Sequence, residues 1–403
     1  MFKVKNIDET ISLINKNFSN YALEIIEIES KDSLGYVLSE DIFSNENVPH
    51  FNRSTVDGYA VKHKVTGLAS STIPVVLKTI GEVLMGEESK YDIDDDQTVY
   101  VPTGGHLPLG ADSVVMVENT EELGEEIVIY SSTTKWENVL LKGSDIATGD
   151  LVLKKGTMIE PRHIGVLTAL GIPKVSAYRK IKCLVISTGD EIVSPNEVPN
   201  IGEVRDINTY TVSSHLESIG LEVTDTLIIR DDFENYKQSI IDGFKNNDIV
   251  LTSGGSSVGT KDYTIRVMNE IDSDVLVHGI SIKPGKPTII AKYEGKLFFG
   301  LPGQPTSAYV VLNTFIGDII CNFYGYKKQI KPYVEAKLTM NVHSSPGRRT
   351  YQIVNLDGNL VTPLFTKSGM VLALSKANGY IIINEFSEGL EKDSIVKVYR
   401  MGD

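Results

Sequence analysis

Three glycine-rich loops, each entered from a short apolar run, constrain this chain more than any other feature. They read SGGSSVGTKDY (Ser253–Tyr263), KPGKP (Lys283–Pro287) and GLPGQP (Gly300–Pro305), and the runs before them are DIVLT, HGISI and KLFF. Glycine permits positive φ and close backbone approach, so a strand that empties into such a loop presents N–H groups to an anion. Three of them in close succession predict one sheet whose strand ends share a phosphate-like ligand. Gly254, Gly255, Ser256 and Ser257 would supply backbone and hydroxyl groups in the first loop.

The surrounding pattern predicts the architecture. From Lys180 strands and helices alternate: KCLVIST, LEVTDTLIIR and DIVLTSGG read as strands, and Thr209–Ile219 and DDFENYKQSIIDGF as amphipathic helices. Gly220 is placed to stop the first helix and Asp232 to cap the second, while Asp262 could cap a helix over YTIRVMNEI. This alternation predicts a doubly wound, mostly parallel α/β domain over residues 180–329, with its site beyond the carboxyl ends of the strands. Residues 1–45 read as helical, with Ile7, Ile11, Leu13, Ile14 and Phe18 near helical spacing. Residues 46–142 change to short strands and turns, a small inserted β domain. Residues 143–179 read as a hairpin turning at Thr148–Gly149–Asp150 and a helix after Pro161, rejoining 1–45 as a discontinuous domain. Residues 330–403 return to strands and turns, a small barrel or sandwich.

Composition narrows the classes. The net charge of −14 argues against general nucleic-acid binding. MFKVKNIDET has no apolar core of a leader, and Ala308–Phe323 is broken by Asn313, Gly317 and Asp318, so it reads as a buried helix and not a span. A cytoplasmic protein without a membrane partner is expected. Cys183 and Cys321 sit in apolar runs as buried thiols, and the seven histidines show neither zinc spacing nor a hydrolase triad.

An acidic chain with phosphate-like loops must gather its few cations there or recruit a metal. Asp190 and Glu191 (in ISTGDE), Asp231, Asp232 and Asp262 stand at or beside strand ends. Carboxylates beside phosphate suit Mg²⁺, which takes one or two of them plus substrate oxygens; polar turns and helix caps are the plain alternative. Lys283 and Lys286 bracket Pro284–Gly285 as a rigid oxyanion clamp, and SSPGRR (Ser344–Arg349) offers a second cationic turn whose arginines could equally pair with surface acids. In NVPHFNRSTVDGYAV, Asp57 precedes Gly58–Tyr59 as a turn-capping carboxylate, and Thr103 of PTGGH either donates to an anion or fixes a turn.

Taken in order, FNRSTVDGYAV, PTGGHLPLGADSVVMVE, GSDIATGD, ISTGDEIV, SGGSSVGTKDY, KPGKP, GLPGQPTSA and SSPGRR resemble the molybdopterin molybdenumtransferase family, the MoeA type shared by the E domain of gephyrin. The resemblance runs nearly end to end. It implies a multidomain α/β plus β fold: an elongated N-terminal part, an inserted β domain, an α/β molybdopterin-binding domain and a C-terminal β-barrel. It further implies a homodimer whose cleft takes the α/β domain of one subunit and the β domain of the other. The implied activity is Mg²⁺-dependent insertion of molybdate into adenylylated molybdopterin with release of AMP, the substrate arriving from a molybdopterin adenylyltransferase.

Carried onto this sequence, the resemblance makes Asp57, Thr103, Glu191, Asp231 and Asp262 catalytic, with Glu191, Asp231 and Asp262 as metal ligands. Lys283, Lys286, Ser307, Arg348 and Ser368 would hold the oxyanion, and Gly254, Gly255, Ser256 and Ser257 would complete the cofactor-binding set. Two departures stand out: Gln304 where the family usually has asparagine, and Asn52–Arg53 where it commonly has Asp-Asn. A tungstate-preferring relative, a non-catalytic scaffold and a CinA-like nucleotide pyrophosphatase are the alternatives. The last leaves Asn47–Val61 and Ser344–Arg349 without a role.

Overall fold

Strand Lys182–Thr188 is buried from Cys183 to its end, which a strand covered on both faces requires. It lies inside a six-stranded sheet whose order is Glu222–Ile229, Lys182–Thr188, Ile249–Gly254, Lys296–Leu301, Ile289–Tyr293, Asp274–His278. The first four strands are mutually parallel and the last two join antiparallel. Strand order reverses at Lys182–Thr188, so the crevice between its end and that of Ile249–Gly254 is the switch point where such sheets take ligands. The computed structural model describes residues 4–19, 21–254, 258–325, 332–365 and 371–401, with the backbone alone over 258–262. Gly255, Ser256, Ser257 and Ser368 therefore lie outside the described residues, as does the side chain of Asp262.

The chain divides into two compact units, Met1–Ile26 with Gly35–Val37 and Ala177–Asp403, and Glu27–Leu34 with Leu38–Ser176. In the first, helices Phe233–Asn246 and Val258–Glu270 flank the sheet, and Tyr236, Ile240, Phe244, Val267 and Met268 pack on Leu184, Ile186, Val250 and Phe298. Asp232 caps its helix, accepting from the Asn235 N–H at 2.9 Å. Gly220, with φ +88, follows helix Asn208–Ser218. Asp262 does not cap: the helix begins at Val258 and encloses it. The apolar stretch after Pro305 forms the 20-residue helix Pro305–Tyr324, buried as expected. Cys183 and Cys321 are buried and form no disulfide.

A second sheet in this unit closes on itself. Strands Arg349–Asp357, Leu360–Pro363, Tyr333–Leu338, Ile395–Arg400 and Gly379–Ile383 pair in that order, and the last returns to the first, making a five-stranded barrel around Leu338, Val354, Val361, Ile381 and Val398. Closure removes the sheet edges. The short strand Ile282–Lys283 joins this barrel in parallel with Arg349–Thr350. The prediction of three glycine loops on one sheet is thus corrected: KPGKP belongs to the barrel, while SGGSS and LPGQP leave adjacent strands of the α/β sheet.

The other unit holds a curled six-stranded sheet, ordered Ser113–Met116, Gly58–Val61, Gln97–Val101, Val75–Glu82, Glu126–Ile129, Thr120–Leu123. Its faces bury separate clusters, Ala60, Val99, Val101 and Val114 on one and Tyr59, Leu77, Val115 and Ile127 on the other. Helix Pro161–Ala169 starts with proline at its first turn. Leu151–Leu153 pairs with Ile42–Phe43 and does not form the expected local hairpin. Among the described residues of 1–45, the helical expectation holds over Ile7–Phe18 and a single 3-10 turn, Ser30–Asp32. Between them, alternation in IIEIE gives strand Ile25–Glu29, whose period of two suits a half-buried strand.

Candidate functional site

Four neighbouring strands of the α/β sheet end in IIRDD, ISTGDE, SGGSS and LPGQP, so those loops stand in a row at one rim. At one end Asp231, Asp190 and Glu191 crowd together. The Asp231 N–H donates to Asp190 Oδ1 at 3.1 Å, and burial, then the charges of Asp190 and Glu191, push the Asp231 carboxyl above the usual carboxylate range. Glu191 folds back over Gly189: a Cβ there would sit 2.8 Å from Oε2, so the glycine makes room for the carboxylate. Among the described residues no three acids, histidines or cysteines converge as a ready-made metal cage. Mg²⁺ does not need one, since it keeps several waters and uses one or two carboxylates with substrate phosphates. A donor set of mutually repelling, partly desolvated carboxylates fits that ion.

Lys283, Lys286, Ser307 and Arg348 line one cleft of about 550 Å³, together with Gln304 and Phe365. Two features bring the cationic turns together. Ile282 and Lys283 lie in register with Arg349 and Thr350, and the Ser281 hydroxyl donates to the Gly347 carbonyl at 2.6 Å. The Lys283–Pro284 peptide is cis, and Gly285 takes φ +116 where a Cβ would meet Val311 Cγ2 at 2.1 Å. The two arginines of SSPGRR part company. Arg349 is held by Asp8 at 3.1 Å and Glu385 at 3.1 Å. Arg348 faces the cleft and, like the two lysines, forms no ion pair with a described carboxylate.

The helix Pro305–Tyr324 adds a dipole to this cleft. Gln304 at its N-cap makes no side-chain cap; the extra methylene relative to asparagine takes its Oε1 to the Ser307 hydroxyl, which donates at 3.4 Å. The first turn thus has no cap from the Gln304 side chain, and its Thr306 and Ser307 line the same cleft as the three cations, an arrangement suited to an oxyanion.

In the other unit the strings around Asp57 and Thr103 are stitched together. Ser54 exchanges backbone hydrogen bonds with Gly104 and Gly105. Asp57 Oδ1 accepts the Thr103 N–H at 2.7 Å and its hydroxyl at 2.9 Å, and these donors hold the carboxyl below its ordinary range. Gly58 is required by packing, since a Cβ would lie 2.0 Å from the Val115 carbonyl oxygen. Asn52, one of the departures, anchors the Lys142 N–H at 2.8 Å. Both residues of the candidate pair are exposed. Sequence reasoning missed Asp206 and Asn208, polar residues buried at the start of helix Asn208–Ser218. The only available signal was the polar string RDIN just before a predicted helix.

Comparison with known proteins assigns the family. Residues 5–171 match the model of the MoeA N-terminal region (domain I and II), 184–321 a probable molybdopterin binding domain, and 335–401 the MoeA C-terminal region (domain IV). The chain belongs to the MoeA family. A putative molybdopterin biosynthesis protein of Methanocaldococcus jannaschii is 33% identical to this MoeA-family chain over 93% of it and 92% of the relative. A molybdopterin molybdenumtransferase of Staphylococcus aureus is 30% identical over 94% and 91%. The crystal structure of a molybdopterin biosynthesis MoeA protein from Pyrococcus horikoshii superposes with TM-score 0.81 at 36% identity, covering 99% of each chain. The MoeA resemblance of the ordered motifs and the multidomain α/β plus β fold are both confirmed. Among the described residues of this MoeA-family chain no helix is long and apolar enough to cross a membrane.

Proposed function

We propose that the chain inserts molybdate into adenylylated molybdopterin and releases AMP, acting in molybdenum cofactor biosynthesis. The observation that carries this reading is the convergence of Lys283, Lys286 and Arg348 with Ser307 and an uncapped helix N-terminus in one cleft. A tetrahedral dianion needs several positive and N–H or O–H donors held in fixed directions, and this cleft supplies them. Its volume exceeds what the oxyanion alone would fill, leaving room for the organic substrate whose sulfurs must reach the metal.

Each residue set has a separable task. The lysines and Arg348 bind and orient molybdate; Ser307 donates a hydrogen bond to it. Glu191 and Asp231, with Asp262, would hold Mg²⁺, which when bound offsets charge on the phosphates of the anhydride being broken. Bringing oxyanion and substrate into reacting distance is the main contribution of the chain, and no protein nucleophile is called for. Asp57 and Thr103 would act from the β domain of the second copy in a homodimer, orienting the adenylate. A molybdopterin adenylyltransferase would supply the substrate, and a cytoplasmic location fits that supply.

The test is incubation of the full chain with adenylylated molybdopterin, Mg²⁺ and either molybdate or tungstate, following AMP and metal incorporation. AMP release that requires the oxyanion supports the reading. Release that is indifferent to either oxyanion points to a pyrophosphatase and overturns it.

A further inference from the structure

Asn208 opens helix Asn208–Ser218 and is buried at 7% exposure. Its Nδ2 donates to Ser253 Oγ at 2.6 Å and to the Gly303 carbonyl at 2.7 Å. Ser253 is the first residue of the SGGSS string, and Gly303 belongs to the LPGQP loop and lines the cationic cleft. One amide thus spans the roots of two loops. Its Oδ1 is buried without a hydrogen-bond partner among the described residues. Turning the amide over would set that oxygen against the Gly303 carbonyl, so the orientation is decided by the two donor contacts. A buried acceptor left without a donor is costly, so these two contacts are what the position preserves.

The neighbouring turn extends the same pattern. Asp206, 5% exposed, accepts from the Ser187 hydroxyl at 3.1 Å and from the Thr209 N–H at 3.1 Å. Ser187, Ser253 and Leu301 lie side by side on the three adjacent strands that feed ISTGDE, SGGSS and LPGQP. The start of one helix is therefore bonded to Ser187 of ISTGDE, to Ser253 of SGGSS and to Gly303 of LPGQP.

We propose that Asn208 is a positioning residue that fixes Ser253, at the end of strand Ile249–Gly254, against Gly303 of the LPGQP loop; the inference rests on the function proposed above. It touches no substrate and acts through Ser253 and Gly303. Asn208→Asp keeps the shape of the side chain but replaces its donors, so an oxygen faces the Gly303 carbonyl while Ser253 can still reverse its hydroxyl and donate. Ser253→Ala removes the other end alone.

The experiment measures AMP release and thermal melting of the full chain and both variants, assayed where all three are folded. Small misplacements of reacting groups cost rate more than affinity, so kcat should fall about tenfold or more in Asn208→Asp and about threefold in Ser253→Ala, with KM for adenylylated molybdopterin changing less. A purely structural amide would lower Tm and leave kcat of the folded protein unchanged. Values of kcat within twofold of the unaltered chain in both variants overturn the proposal. Should Asn208→Asp not fold, Ser253→Ala decides in the same way. If the unaltered chain itself releases no AMP, the proposed function fails and the positioning role of Asn208 with it; if it does and the variants match it, only the positioning role fails.

Discussion

Lys283 lies in register with Thr350, where the two-residue strand Ile282–Lys283 runs parallel to the start of strand Arg349–Asp357, which sets the first lysine of KPGKP beside the backbone that follows Arg348. Two cationic turns far apart in the chain are thereby one structural object.

Because these cations are exposed and no described carboxylate pairs with them, their removal should affect ligand and not stability. Lys286→Ala and Arg348→Ala should each raise the molybdate concentration for half-maximal AMP release about tenfold, the loss of one charge-assisted hydrogen bond. Melting temperatures should stay within a degree or two. A titration of AMP release against molybdate, beside a melting curve, checks both.

Arg349 should behave oppositely. It bridges Asp8 and Glu385, so Arg349→Ala should lower stability by roughly 2 kcal/mol, leaving two carboxylates facing each other. Denaturant melts measure this directly.

If Asp57 orients the adenylate as proposed, Asp57→Ala should cut AMP release about hundredfold while molybdopterin still binds. Thr103→Val removes the hydroxyl but keeps the N–H donor, so its loss should be smaller. Comparing single-turnover rates with pterin binding separates the two effects, and unchanged release in Asp57→Ala removes it from the site.

Asp248 gives a prediction about pH. Burial pushes its carboxyl up, but Arg179 at 2.7 Å, the Tyr21 hydroxyl and the Lys182 N–H outweigh that and hold it below the usual range. A depressed carboxyl contributes stability above its unfolded pKa, near 4, and loses it as pH falls through the folded value. Asp248→Asn should therefore cost roughly 3 kcal/mol at neutral pH, with the gap to the unaltered chain narrowing below about pH 4. Urea melts across that range test the sign.

Gln304→Asn would restore a side chain short enough to cap helix Pro305–Tyr324, adding about 1 kcal/mol of stability. The same cap would occupy a first-turn N–H group that the Gln304 side chain leaves uncapped, so molybdate dependence should weaken as stability rises. Parallel melting and molybdate titrations show whether the two move together.

Much of this was legible from local pattern. Strand–loop–helix alternation after Lys180 gave the parallel core, and Asp232 was readable as a cap because capping depends on residues three apart. The placement of KPGKP was not readable: Ile282–Lys283 is too short to show a period, and its partner Arg349–Thr350 lies far along the chain. Asp262 was misread as a cap because its helix begins upstream at Val258, in VGTK, where a glycine and two β-branched residues make local propensity poor for helix. Asn208 escaped notice because its meaning comes only from Ser253 and Gly303, residues brought to it by the sheet. The Asp57–Thr103 bond was half visible, as a turn carboxylate awaiting a donor.

The closed barrel carries KPGKP as an extra strand, whereas the carboxylates hang from the rim of the parallel sheet. Positive and negative ends of the chemistry are thus mounted on different frames. The lysines therefore take their spacing from barrel register and the carboxylates take theirs from the parallel strands, so each set is fixed by a different part of the fold.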